Sequence, residues 1–157
     1  MAVAAPLSAT IIGFDDLDGS GNQAIPNGYA GLNWNNFYTY DATNDPAHLS
    51  PSGYDFSVIS PNNVAFNGGA NPVTVSSNTI FNLNSVYLHS VWRDGLQVQV
   101  IGFRAGVPVP GDGQTFTLNA SATTPSLITL DYVGVDSVQF IPSGGTQYGP
   151  ASTGTTL

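Results

Sequence analysis

Cysteine, lysine and glutamate are all missing from this chain of 157 residues, and arginine occurs only at positions 93 and 104. Without cysteine there are no disulfides and no thiolate metal sites. With two cations against ten aspartates, and a formal net charge of −8, the chain has little with which to neutralise phosphates. Nucleic acid and anionic membranes are therefore poor partners. No run is long and apolar enough to cross a bilayer as a helix, so membrane insertion is not expected. The strong helix formers glutamate and lysine are absent, and no ten-residue stretch has a helical period.

What remains is a chain that is 41% apolar but only 8% charged. It has enough apolar residues for a core, and its solubility rests on Asn, Ser, Thr and Gly. At this length a single domain is expected, burying about 70% of its unfolded surface. Short alternating segments separated by turn residues predict strands over 9–14, 32–40, 63–67, 73–76, 79–83, 84–92, 96–104, 115–120, 126–132 and 136–141. Asp94-Gly95 between two alternating runs predicts a hairpin joining 84–92 to 96–104. Within the second of these, Leu96, Val98 and Val100 share one face, and Gln97 and Gln99 face the other way. Pro110-Gly111-Asp112-Gly113 reads as a turn. The fold class expected is all-β, an antiparallel β-sandwich of the jelly-roll kind. The domain spans 9–145. Residues 1–8 read as a small-residue remnant left by signal cleavage, and 146–157 as a flexible tail or incomplete closing strand, in a Gly/Ser/Thr-rich stretch that begins at Pro142.

Four sets of residues suggest chemistry. The segment 25–41 sets large rings among amides. A strand there would aim Trp34, Tyr38 and Tyr40 to one side and Asn33, Asn35 and Phe37 to the other. Flat apolar faces next to amides suit a sugar or another polar polymer, with Asn36 as a third amide. The loop Asp16-Leu17-Asp18-Gly19-Ser20-Gly21-Asn22 alternates oxygen ligands and places Gly at its sixth position, as in the front half of a calcium loop. Asp15, Asp16 and Asp18 are the candidate ligands for a structural Ca2+. The twelfth position is Asn27 rather than a bidentate Glu, and an acidic turn explains the same pattern. Arg93 and Asp94 form a second polar pair at a turn. His48 beside Asp45 is a candidate acid–base pair, although the chain has no Gly-x-Ser-x-Gly elbow and no glutamate to serve as a glycosidase acid. Asn119-Ala120-Ser121 is a glycosylation acceptor pattern.

The series IIGFDDLDG, IPNGYAGLNWNNFY, SGYDFSVISPNNVAFN, LNSVYLHSVWRDGLQVQVIGF and LITLDYVGVDSVQF resembles a loosely defined group of secreted fungal and bacterial domains. Related patterns occur in extracellular bacterial proteins with a PEP-CTERM sorting tail. The resemblance implies a jelly-roll β-sandwich like that of calcium-containing carbohydrate-binding modules. It also implies a closing strand with an apolar-Asp-Asn-apolar step beside the first strand. That step is not found before Leu157, which would leave the first strand an open edge through which homodimers form. The reading that follows is a secreted, non-catalytic domain that binds an extracellular glycan or cell-wall polysaccharide. The alternatives are a secreted interaction or effector protein and a polysaccharide-active enzyme built on Asp carboxylates.

Overall fold

The computed structural model describes residues 9–44 and 50–149. The chain is predominantly β, with two antiparallel sheets. The strands are β1 (Gln23–Ala24), β2 (Asn33–Asn35), β3 (Phe37–Asp41), β4 (Asn63–Asn67), β5 (Val73–Leu88), β6 (Arg93–Arg104), β7 (Val107–Asn119) and β8 (Ser126–Gln147). The smaller sheet has the order β1-β3-β4, and the larger has the order β2-β5-β8-β6-β7.

One asparagine divides the two sheets. The strand expected over 32–40 is in fact two strands, because Asn36 adopts a left-handed φ of 62°. Asparagine tolerates this conformation better than most residues. Its side-chain amide donates to Gly68 O (2.9 Å) and Pro72 O (3.3 Å), and its carbonyl accepts from Gly68 N–H. The chain thus leaves the larger sheet at Asn35 and enters the smaller at Phe37. The break also resets the alternation, so that Phe37 falls beside Trp34, 5.3 Å between ring centroids, and edge-on to Phe140.

The hairpin expected at Asp94-Gly95 does not form. β5 and β6 are not neighbours, because the 22-residue β8 lies between them and pairs with both. Gly95, at φ 69°, instead absorbs a register shift between Asp94 and Leu96. The Asp-Gly signal here marks a bulge. The actual hairpin is β6–β7, closed by Ala105 and Gly106, both at positive φ as the two-residue primed turn demands. Pro110 to Gly113 is not a turn either. It lies within β7, where the register shifts between the pairs Phe103/Pro108 and Ile101/Gly113. The segments expected at 126–132 and 136–141 are one strand, whose phase changes around Asp131 and Gly134, so that Tyr132 and Val135 are both buried.

Two further expectations are corrected. Residues Ala9 to Phe14 form no strand; Ile11 is 93% exposed, and Phe14 turns the chain at φ 65°. The open first-strand edge predicted from them is therefore not present. Pro142 to Gln147, read as the start of a tail, continues β8 and pairs with β6. Residues 1–8 and 150–157 lie outside the described residues, as do Asp45 and His48.

The core lies on one face of the larger sheet. Val73, Val75, Val98, Val100, Leu118, Leu130, Tyr132, Val135, Val138 and Phe140 form one buried cluster, with Trp34 and Phe37 packed against it. The Tyr132 hydroxyl crosses this cluster to donate to Val100 O at 2.8 Å.

Both arginines act as backbone clamps on β8 or its bulge. Arg93 donates to Gly144 O and Gly145 O, and Arg104 to Val133 O and Gly134 O. Near Arg104, Asp112 folds over Gly102 with its Oδ2 enclosed and without a hydrogen-bond partner. Burial pushes the Asp112 carboxyl up, while the nearby Arg104 charge pulls it partly back. A raised native pKa means that the folded state holds the proton more tightly, so ionisation of Asp112 destabilises the fold as pH rises. Asp112→Asn removes the charge that burial disfavours and is therefore expected to stabilise the protein at pH 7. Thermal melts should show that gain shrinking as pH falls from the raised native value and gone below about 4, the range of a free aspartate. A gain that persists at pH 3 would remove this account.

Candidate functional site

The rings and amides of the 25–41 segment separate in space. Trp34 pairs with Val75 in the β2–β5 ladder, which puts its indole on the core side. It meets Phe14, Tyr29 and Phe37, and its Nε1–H donates to Tyr29 O at 3.0 Å. Tyr38 and Tyr40 belong to the other sheet. Tyr38 stacks on Phe66, and Tyr40, 6% exposed, lies 4.7 Å from Tyr54. Trp92 closes this second ring cluster edge-on to Tyr54, whose phenol burial pushes well up. The single stacking face expected of Trp34, Tyr38 and Tyr40 is thus not assembled. The physical reason is the sheet change at Asn36, together with the gain of about 1.5–3 kcal/mol for burying each such side chain.

The three aspartates are also engaged separately. Asp15 Oδ1 accepts the backbone N–H groups of Asn62 and Asn63, both at 2.9 Å. Burial raises the Asp15 carboxyl, but those amides and the Ser60 hydroxyl outweigh it and hold the group below its ordinary value. Asp16 accepts the Tyr29 hydroxyl at 2.6 Å; burial first, and this bond second, push that phenol up to about 12. Asp18 caps Ser20 N–H at 2.9 Å. Among the described residues no three His, Cys, Asp or Glu side chains come together as a metal-binding group. As placed, Asp15, Asp16 and Asp18 do not form a calcium cage. They brace a loop whose recess, about 500 Å³, is lined by residues 10–16 with Tyr29 and Ala30.

Arg93 and Asp94, expected as one polar pair, turn to different partners. Arg93 holds Gly144 and Gly145, while Asp94 Oδ1 accepts Ser121 N–H at 2.8 Å. His89 has both ring nitrogens against carbonyl oxygens, Ser90 O at 2.7 Å and Ala122 O at 3.0 Å.

The amides Asn33 and Asn35 lead to a different surface. Residues directly opposite in an antiparallel ladder share a face. Asn35 is opposite Thr74, Thr74 opposite Gln139, Gln139 opposite Ile101 and Ile101 opposite Gly113, one row across all five strands. At about 4.8 Å per strand that row is about 19 Å wide. The next row is Asn33, Ser76, Ser137, Phe103 and Pro108. Two shorter rows complete the face, Ile141–Gln99–Thr115 and Ser143–Gln97–Thr117. This is the face opposite the core, and its side chains are half-buried or exposed.

These four rows hold no charged residue. Gln97 donates to Thr117 Oγ1 at 2.8 Å. Gln99, Gln139, Asn33 and Asn35 have no side-chain hydrogen bond among the described residues. Amides without protein partners, flanked by hydroxyls and centred on Ile101, Phe103 and Ile141, are fitted to a neutral, hydroxyl-rich ligand. Of the sequence-derived candidates only Asn33 and Asn35 lie here; Asn36 is spent on the sheet crossing. Gln97 and Gln99 were legible as the outward half of an alternating strand. Gln139, Thr74, Thr115 and Thr117 needed the strand order. Compared with family models, with curated proteins and with solved structures, the chain matches none.

Proposed function

We propose that the outer face of the five-stranded sheet binds a neutral extracellular glycan, in the manner of a cell-wall polysaccharide module, and that the two sheets form a jelly-roll β-sandwich secreted from the cell. The observation that carries this reading is the uncharged field of amides and hydroxyls spanning β2, β5, β8, β6 and β7. Uncharged side chains hydrogen-bond sugar hydroxyls without the desolvation cost of ions, and Ile101, Phe103 and Ile141 contribute apolar contact with the C–H faces of a ring. The aromatic stacking of the sequence reading is replaced by amide hydrogen bonding.

The test is pull-down on insoluble neutral polysaccharides, followed by titration with soluble oligosaccharides. Gln99→Ala with Gln139→Ala should weaken binding at least tenfold, about 1.4 kcal/mol, with the melting temperature unchanged. Affinity should not change between low and high salt, because no ion pairs form. Absence of binding across a broad panel, or binding indifferent to both glutamines, would overturn the reading. Calcium enters only as a separate proposal at the 15–18 loop, checked by whether Ca2+ raises the melting temperature.

A second reading has its own observation. Among the described residues the outer edge of β7 has no strand neighbour, and residues 113–119 along it carry neither charge nor proline. Such an edge is a template for pairing with another copy. Light scattering showing a stable dimer would favour that interaction role.

A further inference from the structure

We propose that Asn119 is an acceptor for N-linked glycosylation, a modification site placed at the rim of the outer face. Of all the asparagines in the chain, only Asn119 has a serine or threonine two positions on without an intervening proline: Asn119-Ala120-Ser121. The structure presents this tripeptide in the way the chemistry requires. Asn119 and Ser121 are exposed, while Ala120 is fully buried and anchors the pair through its N–H to Arg93 O at 3.1 Å. The Asn119 side chain is held by its oxygen alone, Oδ1 accepting Gly95 N–H at 2.7 Å. Its Nδ2 has no partner among the described residues, and neither has the Ser121 hydroxyl.

That division matters because glycosylation uses the nitrogen and leaves the carbonyl oxygen in place. The donor is an oligosaccharide activated as a lipid diphosphate, used by a transferase of the secretory lumen. Asn119 Nδ2 forms a bond to the anomeric carbon, and the anomeric C–O bond to the diphosphate breaks. The electron pair leaves with the diphosphate oxygen, and one Nδ2 proton goes to base. The Oδ1 bond to Gly95 survives, so the folded state accepts the sugar without losing a contact. Asn119 follows Thr115 and Thr117 at alternate positions on β7, so the glycan stands at the outer end of the edge strand. There it shields the strand from pairing with another copy, as charge or proline does on other edges.

The chain is translated behind a cleavable signal peptide with endoplasmic-reticulum microsomes, and the protease-protected product is examined. One endoglycosidase-sensitive upward gel shift is expected. Both N119Q and S121A should abolish it, and S121T should raise its occupancy. S121A leaves Asn119 on Gly95, so its unmodified product should melt like the parent, which separates a lost acceptor from a damaged fold. A translocated, protected chain with no endoglycosidase-sensitive form would overturn the proposal, as would a shift that survives N119Q.

Discussion

Gly53→Ala is expected to be among the most destabilising single substitutions in this chain. A methyl group on Gly53 would collide with the carbonyl oxygen of Ser90 and come within 2.8 Å of Val91 Cα and 2.9 Å of His89 Nδ1. Two of these three are backbone atoms, and the third is in a ring already held between Ser90 O and Ala122 O. The turn has little room to retreat. Gly53 N–H donates to Val91 O at 2.8 Å, and Ser90 Oγ accepts Arg93 N–H. Next to it, Ser52 and Asp55 cap the short 3-10 turn Gly53–Phe56 reciprocally and position Tyr54 against Tyr40 and Trp92. Relieving the collision means breaking that constellation, at a cost of about 3 kcal/mol or more. Near-UV circular dichroism should lose the tyrosine and tryptophan signal, and the denaturation midpoint should drop sharply. Gly113→Ala is the control: no atom lies within 4 Å of its added carbon, and stability should barely change. A Gly53→Ala protein that unfolds at the parental midpoint would overturn this account of the turn.

Asn63→Ala is expected to loosen the whole acidic loop. Asn63 is 7% exposed, and its amide nitrogen donates to Phe14 O at 3.0 Å and Leu17 O at 2.8 Å. It is the hub that holds residues 14–17 against β4. Alanine would remove two hydrogen bonds at a part-buried site, leaving Phe14 O only the Leu17 N–H and Leu17 O no donor among the described residues, a loss of about 2–3 kcal/mol. Asp15 would keep its bonds to the Asn62 and Asn63 backbone, so the damage should be confined mainly to the loop. Hydrogen exchange at Leu17, whose N–H bonds Phe14 O, should accelerate far more than at Val100 in the core. Uniform acceleration across both would instead mean a global rather than a local role for Asn63.

The predominantly β class was legible from composition and alternation, and several strands were legible almost to the residue, Asn63–Asn67 among them. The sheet order was not. Asp94-Gly95 carries the same local chemistry whether it turns a hairpin or bulges a strand, and only the partner decides. The bulge forms against Asn119 and Leu118 of β7, and the place beside β6 that a hairpin partner would fill is taken by β8, which begins only at Ser126. Asn36 shows the same limit at short range. Nothing in NWNNFY distinguishes one strand of alternating rings from two strands in different sheets. The left-handed residue is fixed by Gly68 and Pro72, which propensity alone does not connect to it. The outer face of the larger sheet was half visible, in Gln97 and Gln99, because alternation survives any strand order. The neighbours that make it a continuous surface come from four other strands.

The position of β8 at the centre of its sheet has a consequence for biosynthesis. β5 and β6 emerge from the ribosome well before the strand that joins them, and each has a vacant side until residues 126–147 are made. Domains are completed from the amino end as synthesis proceeds, at about 5–20 residues per second. Here the keystone is made only after both of the strands it joins. Until then the nascent chain carries two unsatisfied strand edges for seconds, a window in which each can pair with another chain.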